Sequence, residues 1–590
     1  MNGENKNCQK CGLEFIITSE DTDFYKKNNL PSPTHCSRCR MIRRQLFRNE
    51  RVLYKAECKL CGKGIISQYS PGNKYAAYCI DCYASDKWDA LSYGVEYGFK
   101  KPFFTQFDAL MKTVPRRALY HDFTVRSEYV NHSVYVKDCY LCFGGHHYED
   151  SQYCAQNFYV NNCTDVDFSM KSEFCWNSIQ LRRCSRVHES AYSENCVDSW
   201  FLFGCRNCNN CVGCTNLKNA SYHIFNEKYT KEEYEQKLKE FNFRSLTSLE
   251  KIKTEFIKKT IQYPRKYAWI RNAVNSTGDD LEQVKECRYC FSATEDENCR
   301  YSFFMPTGVK DAYDVDHVGL GTENVCELHS SFGGNRVFFG NRIYYSHDIF
   351  YSDDCYNCAN LFGCISLRKK EYCIFNKQYT KGEYEALVPK IISHMNAVPY
   401  KEQAGVEYKF GEFFPISIMP FAYNETVAQE YFPLVKNDAV SQGFRWRDPE
   451  ERSYKITMGF ADVPDNIDSV SESILQEIIG CAHAGKCNNQ CTTAFRVIPS
   501  EFQFYKTIGI PLSRLCPNCR HAERLNKLNP MGLFHRSCQC GGVFSQNGVY
   551  KNNTAHIHGG EICRNNFETP FSPTRPEIIY CENCYQSETA

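Results

Sequence analysis

From Cys142 to Cys205 the chain reads CFGGHHYEDSQYCAQNFYVNNCTDVDFSMKSEFCWNSIQLRRCSRVHESAYSENCVDSWFLFGC. Its cysteines form two interleaved series. Cys142, Cys163, Cys184 and Cys205 are 21 apart, and Cys154, Cys175 and Cys196 keep the same step, offset by 12. Apolar residues follow it too, in Val160, Leu181 and Leu202 and in Phe158, Ile179 and Trp200. A fixed period near 20 that returns inward-suited residues in columns marks a parallel β-solenoid, whose short strands pair with the coil above. Four to five coils over residues 121–215 then predict a stack of roughly 22 Å. Asn161-Asn162 and Asn209-Asn210 supply turns, since asparagine tolerates left-handed backbone. A thiol is a small hydrophobe that stacks inside a narrow coil, so the cysteine columns read as core rather than as metal sites. The closer set Cys205, Cys208, Cys211 and Cys214 is the exception that spacing leaves open as a metal site.

A second half repeats the first. Gly213-Cys214, Tyr222, Ile224-Phe225-Asn226 and Tyr229-Thr230-Lys231 return 150 positions later as Gly363-Cys364, Tyr372, Ile374-Phe375-Asn376 and Tyr379-Thr380-Lys381. Each half then starts a helix with a capping box, Thr230 with Glu233 and Thr380 with Glu383. Such a helix covers the open end of a solenoid, whose edge strands otherwise invite aggregation.

The flanks carry a different repeat. Cys11, Cys36, Cys39 and Cys58 recur 480 positions later as Cys491, Cys516, Cys519 and Cys538. Cys61, Cys79 and Cys82 recur 502 later as Cys563, Cys581 and Cys584, and Cys8 pairs with Cys487 at 479. Two Cys-x2-Cys turns about 20 residues apart close a four-thiolate tetrahedron. Four sites follow: Cys8, Cys11, Cys36 and Cys39; Cys58, Cys61, Cys79 and Cys82; Cys487, Cys491, Cys516 and Cys519; Cys538, Cys563, Cys581 and Cys584. Four thiolates leave no position for water, so the expected zinc ions, four per chain, are structural rather than catalytic. The second copy inserts 22 residues carrying Cys540, His556 and His558. Cys540 competes with Cys538 as ligand, or joins the two histidines around an extra ion; a surface loop with incidental histidines is the favoured reading.

Cys8-x2-Cys11-Gly12, Phe24-Tyr25, Pro31 and Cys36-x2-Cys39-Arg40 resemble the short module known as a probable zinc-ribbon domain. Nearly the whole chain is similar to bacterial proteins that combine such ribbons with Cys/Tyr-rich repeats. The resemblance implies zinc binding and carries no activity with it.

The formal charge of +1 hides two basic stretches. Arg40, Arg43, Arg44, Arg48 and Arg51 follow Cys39, and Arg520, Arg524 and Lys527 follow Cys519. Spacings of 4, 4 and 3 put Arg40, Arg44, Arg48 and Arg51 on one helix stripe, suited to a phosphate backbone. The competing reading pairs these arginines with acids elsewhere in the chain. The 37 cysteines, odd in number and without a leader-like start, fit a reducing cytoplasm rather than a disulfide scaffold, and no apolar stretch spans a bilayer. Phosphate-binding and nucleophile-elbow motifs are absent. Asp165 with Asp167, and Asp314 with Asp316 and His317, are acids that a solenoid enzyme could use, but no second cluster converges on them in sequence.

The expected fold is mainly β with small α elements, two zinc-ribbon pairs flanking a duplicated parallel β-solenoid. Its segments are a ribbon pair at 1–90, a solenoid half at 120–245, a helical linker at 246–286, a second half at 287–395, a connection at 396–480 and the second ribbon pair at 481–590. The expected function is non-enzymatic binding of RNA or a ribonucleoprotein through the basic helices. The alternatives are a protein–protein scaffold and, third, a solenoid enzyme on a polymer.

Overall fold

A computed structural model describes residues 3–403, 405–448 and 454–589. The chain is mainly β, and two sheets, over His121–Lys228 and Ile270–Gln378, account for most strands, each parallel up to an antiparallel last pair. Each is a solenoid, but the coil is shorter than 21 residues. Ala155 pairs with Phe143 and with Asp167, Val187 with Ser199, and Cys211 with His223, each a step of 12. The second solenoid makes the same step over most of its length, but Ile270 pairs with Leu281, a step of 11, and Glu297 with Lys310 and Lys310 with Glu323, steps of 13. About nine coils therefore fill residues 121–224, twice the expected number, each rung about 4.8 Å above the last.

The elementary unit is a triplet. Every third residue, as in Cys175, Ser178, Leu181, Cys184, Val187, Ser190 and Ser193, is buried. The residue two further on is left-handed, as in Asn177, Gln180, Arg183, Arg186, Glu189 and Tyr192, with φ between 46° and 57°. Four triplets close one coil, so a left-handed residue turns each corner. The 21-residue cysteine step is seven triplets, a recurrence along the chain that is not a full turn. Single left-handed residues are costly for side chains other than glycine, and rung-to-rung hydrogen bonds offset that cost. The corner Leu141 donates to Glu128 O below at 3.1 Å, and Tyr140 donates to Ser151 O above at 3.1 Å.

The coil interior holds only a thin column of side chains, which selects small ones. Cys184 Sγ donates to Arg182 O and Ser193 O, both at 3.5 Å, so the thiol satisfies backbone within its own coil. Inward serines cap the rung above: Ser172 Oγ accepts from Cys184 N at 3.3 Å and Ser190 Oγ from Leu202 N at 2.8 Å. Cys205, Cys208, Cys211 and Cys214 are all buried and bond to carbonyls in the same manner. All 37 cysteines are unbridged.

Both capping helices form, Lys231–Leu238 and Lys381–Ala397, each with its capping box closed in both directions. The linker is shorter than expected: its helix is Leu246–Thr260, and the second solenoid already begins at Ile270.

The chain divides into two compact units, 1–119 with 268–447 and 120–267 with 448–590. Within each, a ribbon pair packs on a solenoid that is not its neighbour in sequence. The first ribbons hold the second solenoid; the last ribbons hold the first. Among the described residues no helix is long and apolar enough to cross a membrane.

Candidate metal centres

Each ribbon begins with an antiparallel hairpin. Gly3–Asn7 pairs with Glu14–Thr18, and Tyr54–Glu57 with Gly64–Ser67. Cys8 and Cys58 stand directly after the first strands, and Gly12 and Gly62, at φ 73° and 74°, turn the chain back. Their N–H groups reach Cys8 O and Cys58 O at 2.9 Å. A left-handed turn this tight favours glycine at both positions. The second cysteine pair of each site opens a helix: Cys36 before Ser37–Gln45, Cys79 before Ile80–Ala84, Cys516 before Pro517–Leu525 and Cys581 before Glu582–Thr589. A helix N-terminus offers unpaired N–H groups and a positive dipole end, which favour a thiolate. Burial pushes the Cys58 thiol up, but the N–H groups of Cys79 and Cys61 outweigh it and bring the thiol down to about 6.

Among the described residues each of the four ribbons forms an all-cysteine group, with its sulfurs within 4.8 Å of one another. Cys8, Cys11, Cys36 and Cys39 form the first, Cys58, Cys61, Cys79 and Cys82 the second, and Cys538, Cys563, Cys581 and Cys584 the fourth. The third differs from the expected set: Cys481 joins Cys491, Cys516 and Cys519. Cys481 follows the strand Ile479–Gly480 as Cys8 follows its own, and its N–H bonds Thr493 O at 2.8 Å as that of Cys8 bonds Leu13 O at 2.9 Å. Cys516 N donates to Cys481 Sγ at 3.3 Å, the bond that Cys79 N makes to Cys58 Sγ at 3.2 Å. Cys481 thus takes the place of Cys8. Cys487 lies in the longer hairpin loop of this copy as an additional sulfur, 3.6 Å from Cys519. Spacing alone points to Cys487 because the hairpin loop between Cys481 and Cys491 is longer than that between Cys8 and Cys11.

At the fourth site Cys538 N bonds Asn565 O at 2.9 Å, as Cys58 N bonds Lys63 O, so Cys538 rather than Cys540 is the counterpart of Cys58. The inserted loop is not incidental. Cys540, His556 and His558 converge with Cys584 in a further group of ligand atoms within 4.8 Å. Thiolate and imidazole donors suit zinc and other soft divalent ions.

The arginine stripes are not a free surface. Arg40, Arg43 and Arg44 lie on the buried face of Ser37–Gln45, pressed against the second solenoid. Arg44 Nε donates to Asp316 at 2.7 Å, Arg40 Nε lies 2.9 Å from Asp314, and Arg43 bridges Glu327 at 2.8 Å and Glu412 at 2.9 Å. Arg48, also buried, pairs with Glu50 and donates to Ser330, while Arg51 is half-buried. The last ribbons repeat the arrangement on the first solenoid. Arg524 reaches Asp167 and Asp165 at 2.8 and 2.7 Å, Arg520 bonds Glu501 at 2.8 Å, and Lys527 pairs with Glu189 at 3.5 Å. Arg44 Nη2 also bonds Tyr301 O at 3.3 Å, and Arg524 Nη2 bonds Tyr153 O at 3.2 Å, which fixes the two docks as copies. The expectation of a phosphate-binding stripe therefore gives way to the competing reading of internal pairing. The carboxylates considered for catalysis are the other half of the docks. Burial raises the Asp316 carboxyl to about 6 against the pull of Arg44. The Asp167 carboxyl is also buried, but Arg524 and His521 hold it well below the usual range.

No protein-family model matches the chain, and no curated protein matches it. Among solved structures, a putative acetyltransferase from Desulfovibrio desulfuricans G20 aligns at 9% identity over 49% of this chain and 77% of that one, with a TM-score of 0.10. At that score the likeness carries no argument about fold or activity.

Proposed function

We propose that this protein is a non-enzymatic binding scaffold in which zinc-folded ribbons clamp two rigid solenoids, and that its partner is a protein. The observation that supports this most is the fate of the charge: the arginines best suited to nucleic acid are spent on buried carboxylates of the same chain. The four all-cysteine groups have the ligand type and closed coordination of structural zinc. A metal-folded ribbon is a device for fixing a surface, because thiolate sites of this kind order only around their ion. The first solenoid also carries a column of aromatic corners, exposed at Phe123, Tyr135 and Tyr159. Phe123 stacks on Tyr135 with centroids 4.8 Å apart, and the column continues through His147 to Tyr159. Aromatic residues are enriched where proteins meet.

Purification from native cells tests the reading. Stoichiometric zinc and a co-purifying protein that is lost from a Tyr135→Ser/Tyr159→Ser variant support it. A nuclease-sensitive companion absorbing at 260 nm, retained by that variant, would return RNA to first place.

A further inference from the structure

The 22-residue insertion in the last ribbon brings three metal-type ligands to a site that already has four. We propose that this ribbon holds two metal ions, the second bound by Cys540 Sγ, His556 Nδ1, His558 Nε2 and Cys584 Sγ, with Cys584 shared between both ions as a bridging thiolate. The proposal rests on the zinc reading above and adds an ion to it.

Geometry carries the argument. His556 Nδ1 lies 3.1 Å from Cys540 Sγ, and His558 Nε2 lies 3.3 Å from Cys584 Sγ. Cys584 also lies with Cys538, Cys563 and Cys581 in the four-cysteine group. Cys540, Cys584 and His556 are buried, so an incidental meeting on the surface does not describe them.

The surrounding shell is built for a metal as well. A histidine ligand needs its other ring nitrogen held by an acceptor, which sets the tautomer and the direction of the free lone pair. His556 Nε2 faces Glu588 at 2.7 Å, and His558 Nδ1 faces Glu561 O at 2.7 Å. In both rings the remaining nitrogen is the one aimed at a cysteine. Glu588 is fixed in turn by Tyr550 Oη at 2.9 Å and Asn553 N at 2.8 Å. Asn552 donates from Nδ2 to Cys540 Sγ at 3.2 Å, and its Oδ1 accepts from Tyr580 at 2.8 Å. This is the support a thiolate needs in a buried place.

Charge favours sharing. Four thiolates around one divalent ion leave a net −2 in the interior. A second ion that shares Cys584 and adds one thiolate and two neutral imidazoles brings the pair to −1. Each ion has four protein ligands, so neither position is open to water and the site is structural.

The test is the metal content of the full-length protein, counted by native mass spectrometry after saturation with zinc. Wild type is expected to hold five equivalents, and His556→Ala/His558→Ala to hold four, which also reports that its ribbons are folded. Cys584→Ser is expected to lose two equivalents at once, and Glu588→Gln to weaken only the fifth, by about 10–100-fold. X-ray absorption should place two zinc ions about 3.5–4 Å apart. Four equivalents in wild type, unchanged by the double histidine variant, would overturn the proposal while leaving the ribbon reading intact. Loss of a single equivalent in Cys584→Ser would overturn the sharing. No bound metal in wild type would overturn both readings.

Discussion

Arg524 Nε donates to Asp167 across 2.8 Å, and neither side chain reaches water. The same bond joins Arg44 to Asp316 at 2.7 Å in the other unit. Removing one partner of such a pair leaves a buried charge uncompensated, which costs about 3–5 kcal/mol. Arg524→Met is therefore expected to lower the unfolding free energy of its unit by that amount, measured in urea with zinc in excess. Adding Asp165→Asn and Asp167→Asn should recover most of the loss. A cost under about 1 kcal/mol would mean that water reaches the dock and that the pair behaves like a surface salt bridge.

The cysteine columns make a sharper distinction between core and ligand. Cys184→Val is expected to cost about 1 kcal/mol or less, because the cavity keeps a small apolar occupant. Cys184→Asp should unfold the first solenoid, since it places a buried carboxylate against the Arg182 and Ser193 carbonyls. Circular dichroism and metal counting on both variants check this. A metal equivalent lost with Cys184→Val would identify the column as a ligand array.

Corner residues should respond to shape rather than to polarity. Asn207 sits at φ 52° in a ladder of amides, accepting from Asn195 at 3.0 Å and donating to Asn219 at 2.8 Å. Asn207→Val forces a β-branched side chain into the left-handed region and is expected to cost about 2 kcal/mol or more. Asn207→Gly removes the backbone penalty and should cost less than Val despite losing the ladder. Equal losses in thermal unfolding would contradict the triplet geometry.

Acid should weaken the first solenoid through His188. This ring is buried against Trp200, with centroids 4.4 Å apart, and burial depresses its pKa to about 3. The unfolded chain takes up the proton below pH about 6.5, while the folded chain refuses it until about 3. Stability is thus intact above 6.5 and falls as pH drops through that window, by roughly 4 kcal/mol at its lower end. His188→Gln should flatten this part of the pH profile. An unchanged slope would show that the ring is protonated in place.

The fold class was legible because small residues recur in columns whatever the coil length, whereas the coil length itself was not. Cysteine marks only some inward positions; Val166, Ser178, Leu181 and Ser190 fill the rest, so the eye follows 21 where the backbone turns at 12. The triplet shows in the sequence only as small or apolar residues at every third position. Ligand cysteines were legible from spacing at the first, second and fourth sites, the fourth despite its insertion, and spacing missed Cys481, which an enlarged hairpin loop sets apart from Cys491. The arginine stripe is plain in the sequence, but what it faces is not. It has the same sequence form whether it faces phosphate or carboxylate, and the partners of its arginines lie some 270 residues away in one unit and 360 in the other. That Asp165-x-Asp167 and Asp314-x-Asp316 form matching pairs was the available clue.

The crossed pairing of ribbons and solenoids bears on biosynthesis. A ribosome that has finished the first ribbons has not yet made Asp314, Asp316 or Glu327, so the emerging helix holds Arg40, Arg43 and Arg44 without their acids while some 270 more residues are added. The first solenoid waits longer still, with Asp165 and Asp167 uncovered until Arg520 and Arg524 arrive some 360 residues later. Neither unit can close on the nascent chain until the second half is made. A chain stopped between the solenoids would carry two unmatched surfaces of opposite charge, the kind of product that quality control recognises.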